Sequence, residues 1–301
     1  MDEIKLIALY YYICECYDKE LWLYCQRHSK NNLAPDFSDQ ELLTIYLFAM
    51  IDEEKFQISS IHQYAMKYLH SWFPKLPSYQ AFNRRLNELA DVLWRIMCRQ
   101  ITGHLQANLW QQLSLPQAAV DSVPLILAQG RRSDQAKVAC EIADKGRCAS
   151  KGIWYHGLKL HWLTLLREGQ LPLALDLRLS AASDNDNIVF KEQLITQWMN
   201  LVVFADKIYD DVPSIEQLLL QNKVLLLACQ RRRKGQGHLR ADQKILSRYV
   251  SRKRQPIESF FNWLIETAKL QWASKVRSLK GLLVFIYGKV AAAFLKLSFY
   301  P

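Results

Sequence analysis

The sequence contains no Gly-x-x-x-x-Gly-Lys-Ser/Thr segment and no Gly-x-Ser-x-Gly segment. The first absence leaves no phosphate cradle for P-loop nucleotide hydrolysis, and the second leaves no nucleophile elbow of the hydrolase type. No Cys-x-x-Cys pair occurs among the seven cysteines, Cys14, Cys16, Cys25, Cys98, Cys140, Cys148 and Cys229. An odd number of thiols at these spacings fits a reducing compartment, so a cytoplasmic location is expected. Internal repeats and low-complexity tracts are lacking. Long uninterrupted hydrophobic runs are lacking too: the apolar stretch from Leu282 to Leu297 is broken by Lys289 and Lys296. It is too short and too charged to span a bilayer, and a packed C-terminal helix is expected instead. The chain opens with Asp2 and Glu3, the wrong charge order for a secretory signal.

Negative charge is scarce in one place. Between Ala228 and Arg254 the single acid is Asp242, against ten Lys/Arg, so this window holds +9 of a net charge of +10. A patch of this kind points to nucleic acid or an anionic surface, with a solvated Arg-rich loop as the plainer alternative. The remaining composition is globular: 301 residues, 50% hydrophobic and 23% charged, enough for two domains with a core in each.

The first third has helical spacing. Ser38-Asp39-Gln40-Glu41 forms a capping box ahead of Leu42, Leu43, Ile45, Tyr46 and Ala49. A second helix is expected from Ser59 or Ser60. A third starts after Pro74 to Pro77, with Ser78 as N-cap and Phe82, Leu86, Leu89, Leu93 and Met97 on one face. Arg84 and Arg85 lie off that face. Such a region, residues 1–115, is compatible with a helix-turn-helix-like DNA-binding domain or with a plain helical bundle.

Pro116 marks a change of pattern. Apolar runs of strand length follow at Ala118–Val120, Leu158–Leu166, Leu171–Leu179, Leu201–Ala205 and Val224–Cys229. Helices are expected at Ile188 to Met199, at Ser214 to Gln221, and from Pro256, where Ile257, Phe260, Phe261, Leu264, Ile265 and Ala268 make an apolar stripe. Residues 116–301 therefore imply a mixed sheet flanked by helices, of the α+β or α/β class.

Three acids stand at the edges of these elements. Asp121 follows Ala118-Ala119-Val120, Asp206 follows Leu201–Ala205, and Glu258 falls in the first turn expected after Pro256. Carboxylates so placed can converge on hard divalent cations, which choose oxygen ligands, activate a nucleophile and stabilise a phosphodiester leaving group. The basic stretch supplies a reason for a polyanion to be nearby. Plainer readings exist for each acid: a turn at Asp121 before Ser122 and Pro124, a loop at Asp206, and a favourable helix-start charge at Glu258. Arg254, one turn before Glu258, and the Arg231, Arg232, Arg233, Lys234 cluster are candidate phosphate contacts, since guanidinium grips phosphate bidentately. Lys159 and Lys207 are further candidates. Zinc held by Cys140, Cys148, His156 and His161 matches no known ligand spacing, and strand alternation already accounts for the two histidines. Asp184 and Asp186 form an acidic turn suited to capping the helix expected near Ile188.

Five segments taken together resemble the DDE transposases of bacterial insertion sequences, and within them insertion-sequence family nine-eighty-two. They are Val120-Asp121-Ser122-Val123-Pro124, Lys145 to Lys151, Tyr155 to His161, Ala205-Asp206-Lys207-Ile208-Tyr209, and Arg254-Gln255-Pro256-Ile257-Glu258-Ser259-Phe260-Phe261. The N-terminal stretches Phe37 to Leu43 and Leu76 to Tyr79 are similar as well. The chain departs from the family's pattern at Ile208, where Gly is usual, and at Ser183-Asp184, where His-Asp is expected. It also has no Lys one or two turns after Glu258, Lys269 being the nearest. The resemblance implies a ribonuclease-H-like catalytic domain behind a helical N-terminal domain. It implies Asp121, Asp206 and Glu258 as catalytic ligands of two Mg2+ ions, with Mn2+ able to substitute. It further implies double-stranded DNA, element ends and target, as substrate, a homo-oligomer on that DNA, no membrane partner, and a bacterial cytoplasm with its nucleoid as the site of action. A two-metal nuclease that cuts without joining, and a decayed transposase that only binds DNA, remain alternatives.

Overall fold

Beyond Pro116 the chain enters a strand far longer than the apolar run Ala118–Val120 announces. In the computed structural model, which describes residues 2–26, 35–109, 115–149 and 151–299, β1 runs from Gln117 to Gln129. Ser150, inside one of the motifs above, and residues 110–114 lie outside the described residues. A turn at Ser122 and Pro124 would end the strand there, and the strand continues through both. Ser122, Pro124 and Ile126 share one backbone phase, and the Ile126 amide donates away from the neighbouring strand to the Gln271 carbonyl at 2.9 Å. The N–H that Pro124 lacks therefore falls on a side where no ladder needs it.

The remaining strands are β2 (Asp144–Cys148), β3 (Ile153–Leu165), β4 (Leu173–Ala181), β5 (Val202–Ala205) and β6 (Leu225–Ala228). They form one six-stranded sheet in the order β2-β3-β1-β5-β6, with β4 also paired to β3. Pairs β1·β3, β2·β3 and β3·β4 are antiparallel, whereas β1·β5 and β5·β6 are parallel. β2 takes Ile153–Gly157 and β4 takes Leu158–Leu165, so the two share one edge of β3. This mixed sheet, flanked by helices and preceded by a helical region, is the ribonuclease-H-like arrangement. β5 and β6, the two strands that pair in parallel with each other, have four residues each; β5 is mostly buried, and β6 alternates between buried and more open positions.

The helices are α1 (Glu3–Lys19), α2 (Asp39–Ile51), α3 (Ile58–Tyr68), α4 (Tyr79–Glu88), α5 (Ala90–Leu109), α6 (Asp186–Val189), α7 (Val212–Asn222), α8 (Ala241–Ala268) and α9 (Leu279–Phe299). The expected caps at Ser38 and Ser78 are present. Ser38 and Glu41 make a complete capping box, and Ser78 accepts from the Ala81 amide. The helix expected from Ile188 to Met199 is shorter: α6 passes into a single π-turn at Phe190–Leu194 and stops. The final catalytic-domain helix is longer than expected. It starts at Ala241, not near Pro256, because Gln243 Oε1 accepts from the Arg240 amide and satisfies the helix start there. Pro256 lies inside this 28-residue helix, where it removes one backbone hydrogen bond. Burial of Val250, Ile257, Phe260 and Leu264 compensates.

The chain divides into two compact units that do not follow chain order. The first holds residues 1–100, 266–270 and 276–301; the second holds 101–265 and 271–275. In the first, α9 packs on α2. Among the described residues α9 is the helix long and apolar enough to cross a membrane, yet most of it is buried as a core helix. Gly288 lets the Tyr46 ring lie where a Cβ would stand 2.5 Å away, and Tyr46 Oη donates to the Val284 carbonyl at 3.3 Å. Lys289, buried here, donates to the Lys269 carbonyl at 2.7 Å, and burial pushes its pKa down to about 7. Arg85 is a structural residue of this unit, bonded to Asp39, Glu88 and the Cys25 carbonyl.

The second unit is tightest where β3 crosses β1. A Cβ on Gly157 would stand 2.0 Å from the Leu125 carbonyl oxygen, a backbone atom that cannot move aside. Gly157→Ala is therefore expected to destabilise the chain by about 3 kcal/mol, the upper range for overpacking. Urea unfolding measures this, and an unchanged midpoint would mean that the two strands separate freely at this crossing.

Candidate active site

Asp121 is not at a strand end. It sits mid-strand, opposite Trp162 of β3. What ends near it is the parallel pairing: Gln117, Ala118 and Ala119 match Val202, Val203 and Phe204. Continuing that register by two residues brings Asp121 opposite Asp206, the residue that follows β5. The Cys229 amide donates to the Ala205 carbonyl at 3.1 Å, so the end of β6 reaches the same level. This is the carboxyl end of the parallel strands, where open α/β sheets place their sites.

Helix α8 covers the sheet face that carries Asp121 and Trp162. Phe260 meets the Trp162 ring edge-on at 5.2 Å. Packing of these two rings fixes the rotation of the helix, and with it the direction of Arg254 and Glu258. Glu258 is consequently a mid-helix residue, contrary to the expectation that it opens a helix. Arg254 pairs with Asp121 through Nη2 and with Glu258 through Nη1 at 3.5 Å. The Arg254 side chain is only 12% exposed, while Glu258 is 59% exposed and faces solvent. Burial works against the Arg254 charge, but Asp121, Asp206 and Glu258 outweigh it and raise its pKa above the ordinary value. Asp121 and Glu258 thus pair with one guanidinium, and Asp206, level with Asp121 in the parallel register, acts on it through its charge.

A fourth acid joins them. Asp186, first residue of α6, accepts from Lys159 Nζ at 2.7 Å and from Ser122 Oγ at 2.8 Å. Lys159 also donates to the Asp184 carbonyl at 2.7 Å, so its ammonium is committed within the unit. Asp184 holds the turn through the Ala181 amide, and the cap of α6 is Asn185 rather than either aspartate. Ser122 in turn donates its backbone amide to Asp121 Oδ1 at 2.9 Å. The acidic turn is visible in the sequence; that its second aspartate reaches a strand two elements away is not.

Asp121 is the carboxylate under most strain. Burial pushes its pKa up to about 6; Arg254 and the Ser122 amide pull it down, and Asp206 and Asp186 push it further up. Tyr209, three residues after Asp206, lies fully buried in the same field. Burial, then Asp186 and Asp121, raise its phenol well above the ordinary value. In the sequence Tyr209 stands at the end of the segment around Asp206, with nothing to mark its ring as buried among the acids.

The candidate zinc ligands do not assemble. His156 Nε2 contacts the Val138 carbonyl at 2.9 Å and His161 Nε2 contacts Ser180 Oγ at 2.8 Å. Burial drives the His161 pKa down to about 4, so the ring is neutral. Among the described residues no three His, Cys, Asp or Glu already surround one cation position. The acids are instead arranged about the Arg254 charge. Their chemistry still suits a hard divalent cation: Asp121, Asp206 and Glu258 are all-oxygen donors, and Asp121 keeps a raised pKa even with Arg254 beside it.

The basic residues divide. Arg231 is tied to the loop after Asp206: its amide donates to Asp210 Oδ2 at 2.8 Å and its Nε to the Lys207 carbonyl. Arg232, Arg233, Lys234 and Lys207 are exposed on the same side of β5 and β6. The early start of α8 adds a feature that a helix beginning at Pro256 would not have. Lys244, Arg248 and Arg252, spaced by four, form an exposed stripe leading toward Glu258.

The sign of the Asp121 shift gives a test. Its folded pKa of about 6 lies above the ordinary 3.8, so folding favours the protonated acid. Its contribution to stability is full below the ordinary value and is lost as pH rises through the folded one. Asp121→Asn is accordingly expected to be more stable than the parent by roughly 3 kcal/mol at about pH 8, a difference that fades toward about pH 4. Unfolding curves across that range measure it; an Asn variant no more stable at the alkaline end would mean that Arg254 fully offsets the burial.

Residues 115–295 match the protein family described as Transposase DDE domain. No curated protein and no solved structure matches the chain.

Proposed function

The chain belongs to the Transposase DDE domain family, and on that premise we propose that it cuts the ends of a bacterial mobile element and joins the freed 3′-hydroxyl to target DNA. The observation that carries this reading is the gathering of Asp121, Asp206 and Glu258 about Arg254 at the carboxyl ends of the parallel strands. DNA is the substrate that a transposase domain implies, and DDE domains typically use divalent metals. Our finer assignment is to insertion-sequence family nine-eighty-two, on the motifs around the three acids. The division of labour we propose is a helical N-terminal region, 1–115, that binds element DNA, and a region from 116 onward that carries the chemistry.

Asp121, Asp206 and Glu258 would hold two Mg2+ ions, or Mn2+ in their place. When bound, such ions supply an activated nucleophilic oxygen and charge relief at the leaving oxygen of the phosphodiester. The protein's own residues account for the rest. Lys159, Asp186 and Ser122 hold the backbone at Asp121, so the carboxylate keeps its place as the strand face is approached. Arg254 balances the acid cluster in the free protein, and a guanidinium beside the proposed metal ligands supports its assignment as the first phosphate contact. Arg231, Arg232, Arg233 and Lys234, with Lys207 beside them and the stripe Lys244, Arg248 and Arg252, would carry the flanking duplex. Joining two element ends to one target calls for a homo-oligomer on DNA. The substrate places the protein at the nucleoid in the bacterial cytoplasm.

Asp206→Asn is expected to abolish Mg2+-dependent cleavage of an end-containing duplex while leaving DNA binding nearly intact. Cleavage that survives would remove Asp206 from the ligand set. A 3′-end joining assay separates a transposase from a nuclease that only cuts, and a wild-type chain inert with both Mg2+ and Mn2+ would be a decayed copy. Replacing Arg231, Arg232 and Arg233 together with Gln should weaken duplex binding and lower the salt slope by about 0.9 for each phosphate that is no longer neutralised. An unchanged slope would place the cluster outside the interface.

A further inference from the structure

Tyr209 is fully buried, and its hydroxyl has no hydrogen-bond partner. The ring is well held. It meets Phe190 edge-on at 5.5 Å, and its backbone amide donates to the Asp206 carbonyl at 3.0 Å, closing the short turn Lys207–Tyr209. A phenylalanine would fill the same space and make the same ring contact. The oxygen therefore makes no bond within the protein, and a buried hydroxyl left so costs stability.

The position of that oxygen is informative. Tyr209 stands between two acid-bearing segments: Asp206 precedes it by three residues, and Phe190, against which it packs, directly follows the helix that begins at Asp186. The charges acting on the phenol are those of the site: Asp186, Asp121, Arg254 and Asp206. The hydroxyl is thus an unbonded donor in a part of the unit whose charges are those of these acids. Arg254 Nε, another donor of the site, is likewise buried without a partner. The full burial of Tyr209 rules out a direct reach to a DNA backbone. What matches a buried donor set among carboxylates that it does not itself bond is a water, which typically makes about three hydrogen bonds to such groups.

We propose that Tyr209 is a positioning residue: its hydroxyl donates to an ordered water that bridges it to the Asp121 and Asp206 carboxylates and fixes their orientation in the working site. The inference rests on the assignment of those two acids to the active site. It separates the hydroxyl from the ring, since the ring serves the fold and the hydroxyl serves the carboxylates.

The test uses Tyr209→Phe in the full chain, with four readouts: melting temperature, duplex affinity, Mn2+ affinity of the free protein by electron paramagnetic resonance, and kcat and KM for cleavage of an end-containing duplex. The expected result is an equal or higher melting temperature, unchanged duplex affinity and KM, weakened Mn2+ binding, and a kcat reduced roughly tenfold, as misplacement of reacting groups produces. Unchanged kcat and unchanged Mn2+ affinity would overturn the proposal. So would a lowered melting temperature with full activity restored on cooling, because the hydroxyl would then be serving the fold. Asp206→Asn in the same assays separates the two levels. If it stays active, the reading of the site fails and this inference with it. If it is dead while Tyr209→Phe matches the parent, only the inference fails.

Discussion

The constraint on which the site depends is a carboxylate placed in the middle of a buried strand. Asp121 lies in β1 directly after three wholly buried residues, Ala118, Ala119 and Val120, and although its side chain is 23% exposed, desolvation still disfavours its charge. A sheet tolerates this only where a positive charge reaches the same spot. Arg254 is that charge, and it arrives from α8, more than a hundred residues away in the chain. The rotation of α8 is set by Phe260 against Trp162, so an apolar contact decides where an ionic one forms. The remaining acids follow from these two. Asp206 is carried in by the parallel register of β5, Glu258 by one further helical turn from Arg254, and Asp186 by its pairing with Lys159 on β3.

The acids themselves were legible in the sequence because each adjoins a run or stripe of apolar residues: Asp121 and Asp206 follow one, and Glu258 stands at the start of one. Their settings were less so, and the reasons are physical. Ser122 and Pro124 resemble a turn, yet a proline interrupts a strand only if its missing amide faces a partner, and parallel pairing on that side ends before Pro124. Pro256 resembles a helix start, yet Gln243 had already satisfied one thirteen residues earlier. In both cases a local signal was correct about the residue's preference and was overridden by packing at longer range. The π-turn at Phe190–Leu194 is a third instance. The periodicity from Ile188 suggests a helix of ordinary length, while the need to lay Phe190 on Tyr209 ends it early.

The basic residues show the opposite relation. Their concentration between Ala228 and Arg254 was plain from counting, but counting treats them alike. The fold sorts them into three kinds: Arg254 turned inward to the acids, Arg231 tied by its amide to Asp210, and an exposed remainder on the loop and along α8. Lys159 belongs with the inward kind, since Asp186 and the Asp184 carbonyl already hold its ammonium. A charge total gives a reason for DNA to approach, and only the partners show which charges are free to meet it.

One consequence joins the two ends of the site. On the proposed function Arg254 sits beside the carboxylates that divalent cations would need, so the charge that pairs with these acids would also compete with a cation for them. An incoming phosphate offers the guanidinium a better bidentate partner than a single carboxylate oxygen does. Drawing Arg254 toward the phosphate leaves Asp121 and Glu258 short of positive charge, which raises their demand for a cation. On that reading substrate binding and cation binding would be linked through one side chain, and by linkage each would strengthen the other. A cluster of acids built in this way would be least reactive when DNA is absent, the condition under which the proposed nuclease centre has nothing useful to cut.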